Sequence, residues 1–443
     1  MLGSSIINAV ASLLSLLAGF GSSVVVARLL GADGTGAVAY ALWIMTSATL
    51  LADMGIPQAL LRFVGRDGQD RASLIMALTR RFSVSTALLA LVIIVVAAYF
   101  YATGAAGIAM TWIATAGLYI AYAYSTLALG IEQGLGNFRK ASARTAIGCL
   151  IQPFSVALGA FFFGPAGAIA GHVLRHLPQA LALRLYFGRR EETNPQPIPD
   201  IVKTYSRNNW LAGGLSSLLA SRIEFSIIGF YFSVNLVGQY ATGATMAGMI
   251  IQLSFALVTV LVPLFASHRD RGDSMGLNRS YRLSMWGMTF LMAPICFGGG
   301  AVAPVLVPML FGQGFQPAGE LAAVLLPFTV AQVLTTVSYR MMLAHECSKA
   351  VLQFSLWEGF LGIIALMIAI PLFGATGAVW TKGLIAAASA LLHIGYCWKK
   401  LDVPLHPLPI MKIFVSAALC AGAAALVLEW NSGILGLALA ILA

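Results

Sequence analysis

This chain of 443 residues is short of charge: Asp, Glu, Lys and Arg make up 9% of it, against about a quarter in soluble proteins. Carboxylates are the scarcer sign, with 16 against 26 Lys and Arg. Nothing in the chain is polar enough to form a soluble domain. It contains no GxxxxGK[ST] phosphate loop, so the sequence offers no site for ATP as an energy source. Its five cysteines (149, 296, 347, 397 and 420) show no paired spacing. That argues against a disulfide framework or a thiolate metal site and leaves them as small apolar residues. No cofactor or metal is expected.

Long apolar runs fill the chain instead. Residues 4–27, 36–61, 82–101, 108–130, 143–163, 165–187, 209–232, 238–266, 283–311, 317–339, 350–370, 374–398 and 411–428 are each mostly apolar, and a shorter stub begins at 433. At 1.5 Å per residue, about 20 residues of helix cross a hydrocarbon core about 30 Å thick. The reading is an all-α polytopic membrane protein with about fourteen spans. The first span lacks the basic flank and cleavage site of a removable signal peptide. Arg62, Arg66, Arg71, Arg80 and Arg81 follow span two, and Arg139, Lys140 and Arg144 follow span four. The loops after spans six, eight, ten and twelve are basic as well, whereas the odd-numbered loops hold only Arg28. By the positive-inside rule the even loops and the N-terminus are predicted to be cytoplasmic. The net charge of +10 is then topology, not a nucleic-acid patch.

The chain also repeats. "FGPAGAIAG" (163–171) returns as "FGATGAVWTKG" (373–383), a shift of 210 residues, and Arg189-Arg190 falls on Lys399-Lys400. Six spans per repeat is an even number, so both copies enter the membrane in the same sense. This predicts two six-helix bundles, 1–190 and 201–400, related by a pseudo-twofold along the membrane normal, with about two further helices over 408–443. The charged, proline-rich "GRREETNPQPIPD" (188–200) suits the junction. In transporters of this plan substrate binds between the bundles, and their rocking alternates access.

"ARLLGADGTGAVAYALWIMTSATLLADMGIPQALLRFVGR" (27–66) resembles the opening signature of bacterial polysaccharide-biosynthesis (O-antigen) flippases. These belong to the multidrug/oligosaccharidyl-lipid/polysaccharide exporter superfamily. "RIEFSIIGFYFSVNLVGQYATGATMAG" (222–248) and "LFGQGFQPAGELAAVLLPF" (310–328) are similar to later helices of the same family. The resemblance covers essentially the whole chain, although its motifs are apolar and specify fold better than substrate. It departs in the "GAVAY" start of span two, where the family keeps an aromatic nearer the glycine. The spans beyond twelve resemble the lipid II flippase branch.

Ionisable groups inside spans are costly and face a partner or a wet cavity. His172, Arg175, His176 and Gln179 recur at i, i+3, i+4 and i+7, one polar face on an otherwise greasy helix. Arg175 lies near the middle of its span. At the repeat shift His172 corresponds to Lys382, so both halves place a basic group at one station. The stripe is expected to line the cavity and meet an anion; the alternative is that Arg175 pairs with Asp53, Glu224 or Glu358 to hold helices together. Arg222 and Glu224 diverge by about 200° around their helix, so Arg222 is a cavity candidate and Glu224 an ion-pair or coupling candidate. Asp53, beside "GIP", suits a helix-end tether, and Glu358 is expected within reach of Lys382. Tyr119 and Tyr122 in span four, Gln252 in span eight and Gln332 in span ten belong to milder polar stripes that serve either sugar recognition or helix packing.

The resemblance implies a flippase moving undecaprenyl-pyrophosphate-linked oligosaccharide from the cytoplasmic to the outer leaflet of a bacterial inner membrane. Its partners would be the polyprenyl-pyrophosphate glycan, the bilayer and the polysaccharide assembly machinery. A cationic interior suits a pyrophosphate. Outward movement of an anion also runs with an inside-negative potential, about 2.3 kcal/mol per charge per 100 mV. The histidines could link movement to protons. The alternative is a multidrug-and-toxin-type cation-coupled exporter, against which stands a first span with no carboxylate. An enzyme acting on the same lipids is disfavoured, because the outward loops are short and nearly uncharged.

Overall fold

The structure is a computed structural model describing residues 2–65, 71–187, 198–211, 223–258 and 261–430, with 436–437 and 439–440 near the C-terminus. Among these residues there is helix and no strand, as lipid demands: a backbone that satisfies its own hydrogen bonds segment by segment can cross hydrocarbon. Two compact units emerge, Met1–Arg222 and Ile223–Ala443.

The first unit contains α1 (Leu2–Ala52), α2 (Ile56–Phe63), α3 (Arg71–Ala102), α4 (Ala106–Gly134), α5 (Phe138–Ala180), the short α6 (Arg184–Phe187) and α7 (Asp200–Asn209). The second contains α8 (Ile223–Tyr231), α9 (Val234–Val258), α10 (Leu261–Asp270), α11 (Ser274–Phe311), α12 (Gln316–Ala344), α13 (Ser348–Leu401) and α14 (Pro407–Trp430). The first unit extends past residue 190, where the sequence reading ends its bundle, because α7 packs on α2. Residues 408–430 likewise do not stand apart, since α14 packs along α11. Among the described residues, eight helices are long and apolar enough to span a membrane.

Three of the eight are two spans each. As straight rods, α1, α5 and α13, of 51, 43 and 54 residues, would be roughly 65–80 Å long. Each is interrupted by one glycine: Gly31 (φ 66°, ψ −166°), Gly164 (φ 61°, ψ −145°) and Gly374 (φ 60°, ψ −142°). Side-chain-bearing residues essentially never adopt such angles. At Gly164 the chain doubles back: Ser155 Oγ donates to the Gly171 carbonyl at 2.9 Å, two atoms about 24 Å apart on a straight helix. Gly164 and Gly374 occupy the same place in the sequence repeat and share a backbone conformation to within a few degrees, so the repeat is built into the chain's turns.

Small residues bring the two arms of α5 together. A Cβ on Gly159 would strike the Gly167 carbonyl, and one on Gly148 would strike the carbonyl of Arg175. Gly377 meets Ala369 the same way in the second unit. Lipid tails are as apolar as leucine, so helices associate through such close contact. The outer faces carry the apolar load: Leu88, Leu91, Val92 and Val95 of α3 are exposed.

Candidate functional site

Two arms of α5, the first arm of α1 and α4 converge on the stripe that begins at His172. Arg175 donates from Nη1 to Gln152 Oε1 at 2.7 Å and from Nη2 to Ser15 Oγ at 2.5 Å. Gln152, 1% exposed, stands opposite on the other arm of α5 because the Gly164 reversal brings it there. A guanidinium can only donate, which fixes the amide: its oxygen faces Arg175 and its nitrogen donates to His172 Nδ1 at 3.3 Å. His172 thus accepts at Nδ1 and carries its ring proton on Nε2. The Tyr122 ring meets His176 edge-on, centroids 5.0 Å apart. Arg175 is half-buried, and among the described residues no carboxylate lies within ion-pair distance of it.

Gln179, the last member of the stripe, turns elsewhere. It is buried and donates from Nε2 to Glu132 Oε2 at 2.7 Å. Glu132, fully buried near the end of α4, also pairs with Arg144 and accepts from Tyr186 at 3.4 Å. The stripe therefore serves two networks, a cationic one around Arg175 and an ion-paired one at the end of the unit that bears basic loops. Tyr119 is wholly buried against Phe82 and Leu127 in the helix core. Asp53 Oδ1 accepts from the Gly55 amide at 2.8 Å and closes the turn between α1 and α2, where Met54 and Gly55 have positive φ.

In the second unit Lys382 Nζ donates to Glu224 Oε1 at 2.5 Å, and Tyr240 donates to the same oxygen at 3.3 Å. Glu224 is 2% exposed. The expected approach of Glu358 to Lys382 does not occur; Glu358 accepts from Ser389 Oγ at 3.0 Å instead. The reversal at Gly374 explains this. Residues equidistant from the turn face one another, and Glu358 is sixteen residues before it, Ser389 fifteen after, Lys382 only eight. Gln252 and Gln332 lie on exposed faces of α9 and α12. Arg222 and the 188–197 part of the junction lie outside the described residues.

Sequence reading missed Gln152 and Glu132. Gln152 sits alone in "GCLIQPFSVALG", where an uncompensated amide in mid-span was itself a signal. Glu132 sits in "GIEQGLGN" at a span end, where charge is unremarkable until its burial is known.

The family described as polysaccharide biosynthesis protein matches residues 25–320. A curated protein named probable flippase AglR, from Haloferax volcanii, is 25% identical over 232 residues, covering 51% of this chain and 47% of that one. The chain thus spans about half the length of that relative. Among solved structures, the lipid II flippase MurJ in an inward closed conformation superposes with a TM-score of 0.71 at 12% identity, covering 100% of this chain and 97% of that one. An inward-facing multidrug resistance MATE family transporter of the MOP superfamily gives 0.68 at 13%, covering 90% and 98%. These two likenesses concern the fold. The chain belongs to the polysaccharide biosynthesis protein family and is a multi-pass membrane protein.

Proposed function

We propose that this protein flips a polyprenyl-pyrophosphate-linked oligosaccharide between leaflets, by alternating exposure of the Arg175 cluster to the two sides of the membrane. The observation that carries the reading is a membrane-embedded guanidinium whose hydrogen bonds go to neutral groups, Gln152 and Ser15. Such a cation keeps its charge available, and a pyrophosphate oxygen can displace a neutral acceptor far more readily than it could displace a carboxylate. Gln152 and Ser15 hold the fork in place meanwhile, and His172 holds Gln152. The basic even-numbered loops support a cytoplasmic N-terminus, hence loading from the cytoplasmic leaflet of a bacterial inner membrane and delivery to polysaccharide assembly machinery outside. A cation-coupled drug exporter would share the fold but would need free carboxylates in its cavity. In the first unit Glu132 is committed to Arg144 and Gln179, and Asp53 to its own turn.

The test is transbilayer movement of a short polyprenyl-pyrophosphate oligosaccharide in proteoliposomes, read by an impermeant glycosidase. Wild type should expose the sugar, and Arg175→Ala should slow exposure about 100-fold, the equivalent of two tenfold steps in binding energy. Equal rates in the two proteins would remove Arg175 from the path. Efflux of a cationic dye instead would favour the exporter.

A further inference from the structure

The first unit carries a second basic site, remote in character from the Arg175 cluster. Around α7 a cavity of about 460 Å³ is lined by Arg81, Lys203, Arg207, Thr204, Ser206 and Trp210, with Met54 and Asp200 completing it. α7 is firmly seated. Ser206 Oγ donates to the Met54 carbonyl at 2.6 Å, and Trp210 Nε1 to the Leu50 carbonyl at 2.9 Å. Gly55 passes so close to the Ser206 carbonyl that no Cβ fits between them. Val202 is wholly buried, Tyr205 packs edge-on to Phe63 with centroids 5.3 Å apart, and Arg62 lies over the Tyr205 ring. With that face docked, Lys203, Thr204 and Arg207 are turned outward. The helix is amphipathic, with one face given to packing and the other to charge.

The depth of the cavity is set by sequence. Arg81 is the last charged residue before twenty uncharged ones, "FSVSTALLALVIIVVAAYFY" (82–101), so it marks where hydrocarbon ends and headgroups begin. The Trp210 indole belongs at the same level. The carboxylate in the lining, Asp200, accepts from Lys203 Nζ at 3.0 Å. Arg81 and Arg207 have no carboxylate within ion-pair distance among the described residues. Three cations against one carboxylate, with Thr204 in the same lining, are the complement of a phosphate group.

We propose that this cavity binds the phosphate of an anionic phospholipid headgroup, at a site separate from the transport path. Phosphate chemistry is shared by soluble phosphomonoesters, so the test separates the sources. The full-length protein is equilibrated with phosphatidylglycerol and with phosphatidylcholine of the same chains, and retained lipid is counted by native mass spectrometry. Wild type should retain phosphatidylglycerol about tenfold over phosphatidylcholine. Arg81→Gln/Arg207→Gln should abolish that preference. The control Arg139→Gln/Lys140→Gln removes two exposed charges from the first turn of α5 and should keep it. Equal loss in both pairs, or loss in neither, would overturn the site in favour of diffuse surface charge. Should the double variant fail to fold, Arg207→Gln alone should show a threefold loss or more, and an unchanged ratio would overturn the proposal. Displacement of the lipid by glycerol 3-phosphate at millimolar concentration would assign the site to soluble phosphates; retention would assign it to the bilayer. Because the readout is binding, it does not depend on any transport activity.

Discussion

His172 and Lys382 hold one station of the repeat, Arg175 stands about one helical turn further on, and the two halves treat the positive charge there in opposite ways. In the second half Lys382 meets Glu224, supported by Tyr240, and Glu358 meets Ser389. In the first half, among the described residues, Arg175 hydrogen-bonds to an amide and a hydroxyl, with His172 and Tyr122-backed His176 beside it. An ion pair cancels its own field, so the second half is electrically quiet there and gains a fixed helix contact. The first half holds a cation in position with its charge unspent. Equivalent backbone turns at Gly164 and Gly374 thus carry an ion-paired cluster in one half and a cation bonded to neutral groups in the other.

Breaking the quiet half should have the largest effect on stability. Glu224→Leu leaves the Lys382 ammonium, 34% exposed, without its partner. Removing one member of a buried pair costs about 3–5 kcal/mol, and partial exposure of the lysine puts this case near 3. The thermal unfolding midpoint in detergent should fall accordingly, and Glu224→Leu/Lys382→Met should recover most of it. The counterpart change in the first half, Arg175→Met, should cost less, about 1 kcal/mol, because it orphans the buried Gln152 oxygen but leaves no unpaired charge behind.

Position 148 sharpens the contrast, because the repeat places Gly148 where the second half has Glu358. Gly148→Ala puts a methyl against the Arg175 carbonyl and forces the two arms of α5 apart. Overpacking of this kind costs about 1–3 kcal/mol. It should also slow sugar exposure in proteoliposomes while deleting no polar group. Unaltered transport would mean that Arg175 needs no fixed backbone.

These contrasts were only partly legible in the sequence. Spans, basic loops and the 210-residue repeat could be read because hydropathy and charge are local properties, and the stripe at 172–179 because one helix turn displays it. The glycine reversals are what hid the rest. Gln152 reaches Arg175, and Ser389 reaches Glu358, only because each chain folds back at one residue, so depth from Gly164 or Gly374 decides who meets whom. Lys382 and Glu224 are 158 residues apart, and no periodicity connects them. Gln179 shows the limit of a helical stripe: it shares a face with Arg175, yet a neighbour on α4 claims it.

Converting the first half into the second is a subtler test. Gln152→Glu places a carboxylate where Arg175 now finds an amide, giving it the kind of partner Lys382 has. Coulomb attraction at contact is several kcal/mol even at an effective dielectric constant near 20. A substrate phosphate must compete with it. Transport should drop about tenfold with the unfolding midpoint held or raised. Undiminished transport would show that the charge of Arg175 need not be available.

The smallest effect is expected at Glu358, and it tests whether the second half is as quiet as its hydrogen bonds suggest. What Ser389 Oγ needs at 3.0 Å is an acceptor, and an amide oxygen supplies one. Glu358→Gln therefore keeps the contact and changes only the carboxyl group itself. Lys382 loses nothing, because its partner is Glu224, not Glu358. The midpoint should move by no more than about 0.5 kcal/mol in stability, as for a substitution that leaves every contact standing. Transport should be unchanged at neutral and mildly acidic pH. A Glu358→Gln protein that folds normally but no longer transports would reverse the assignment: the carboxylate itself would be at work, and the second half would hold the coupling charge while the first holds the substrate.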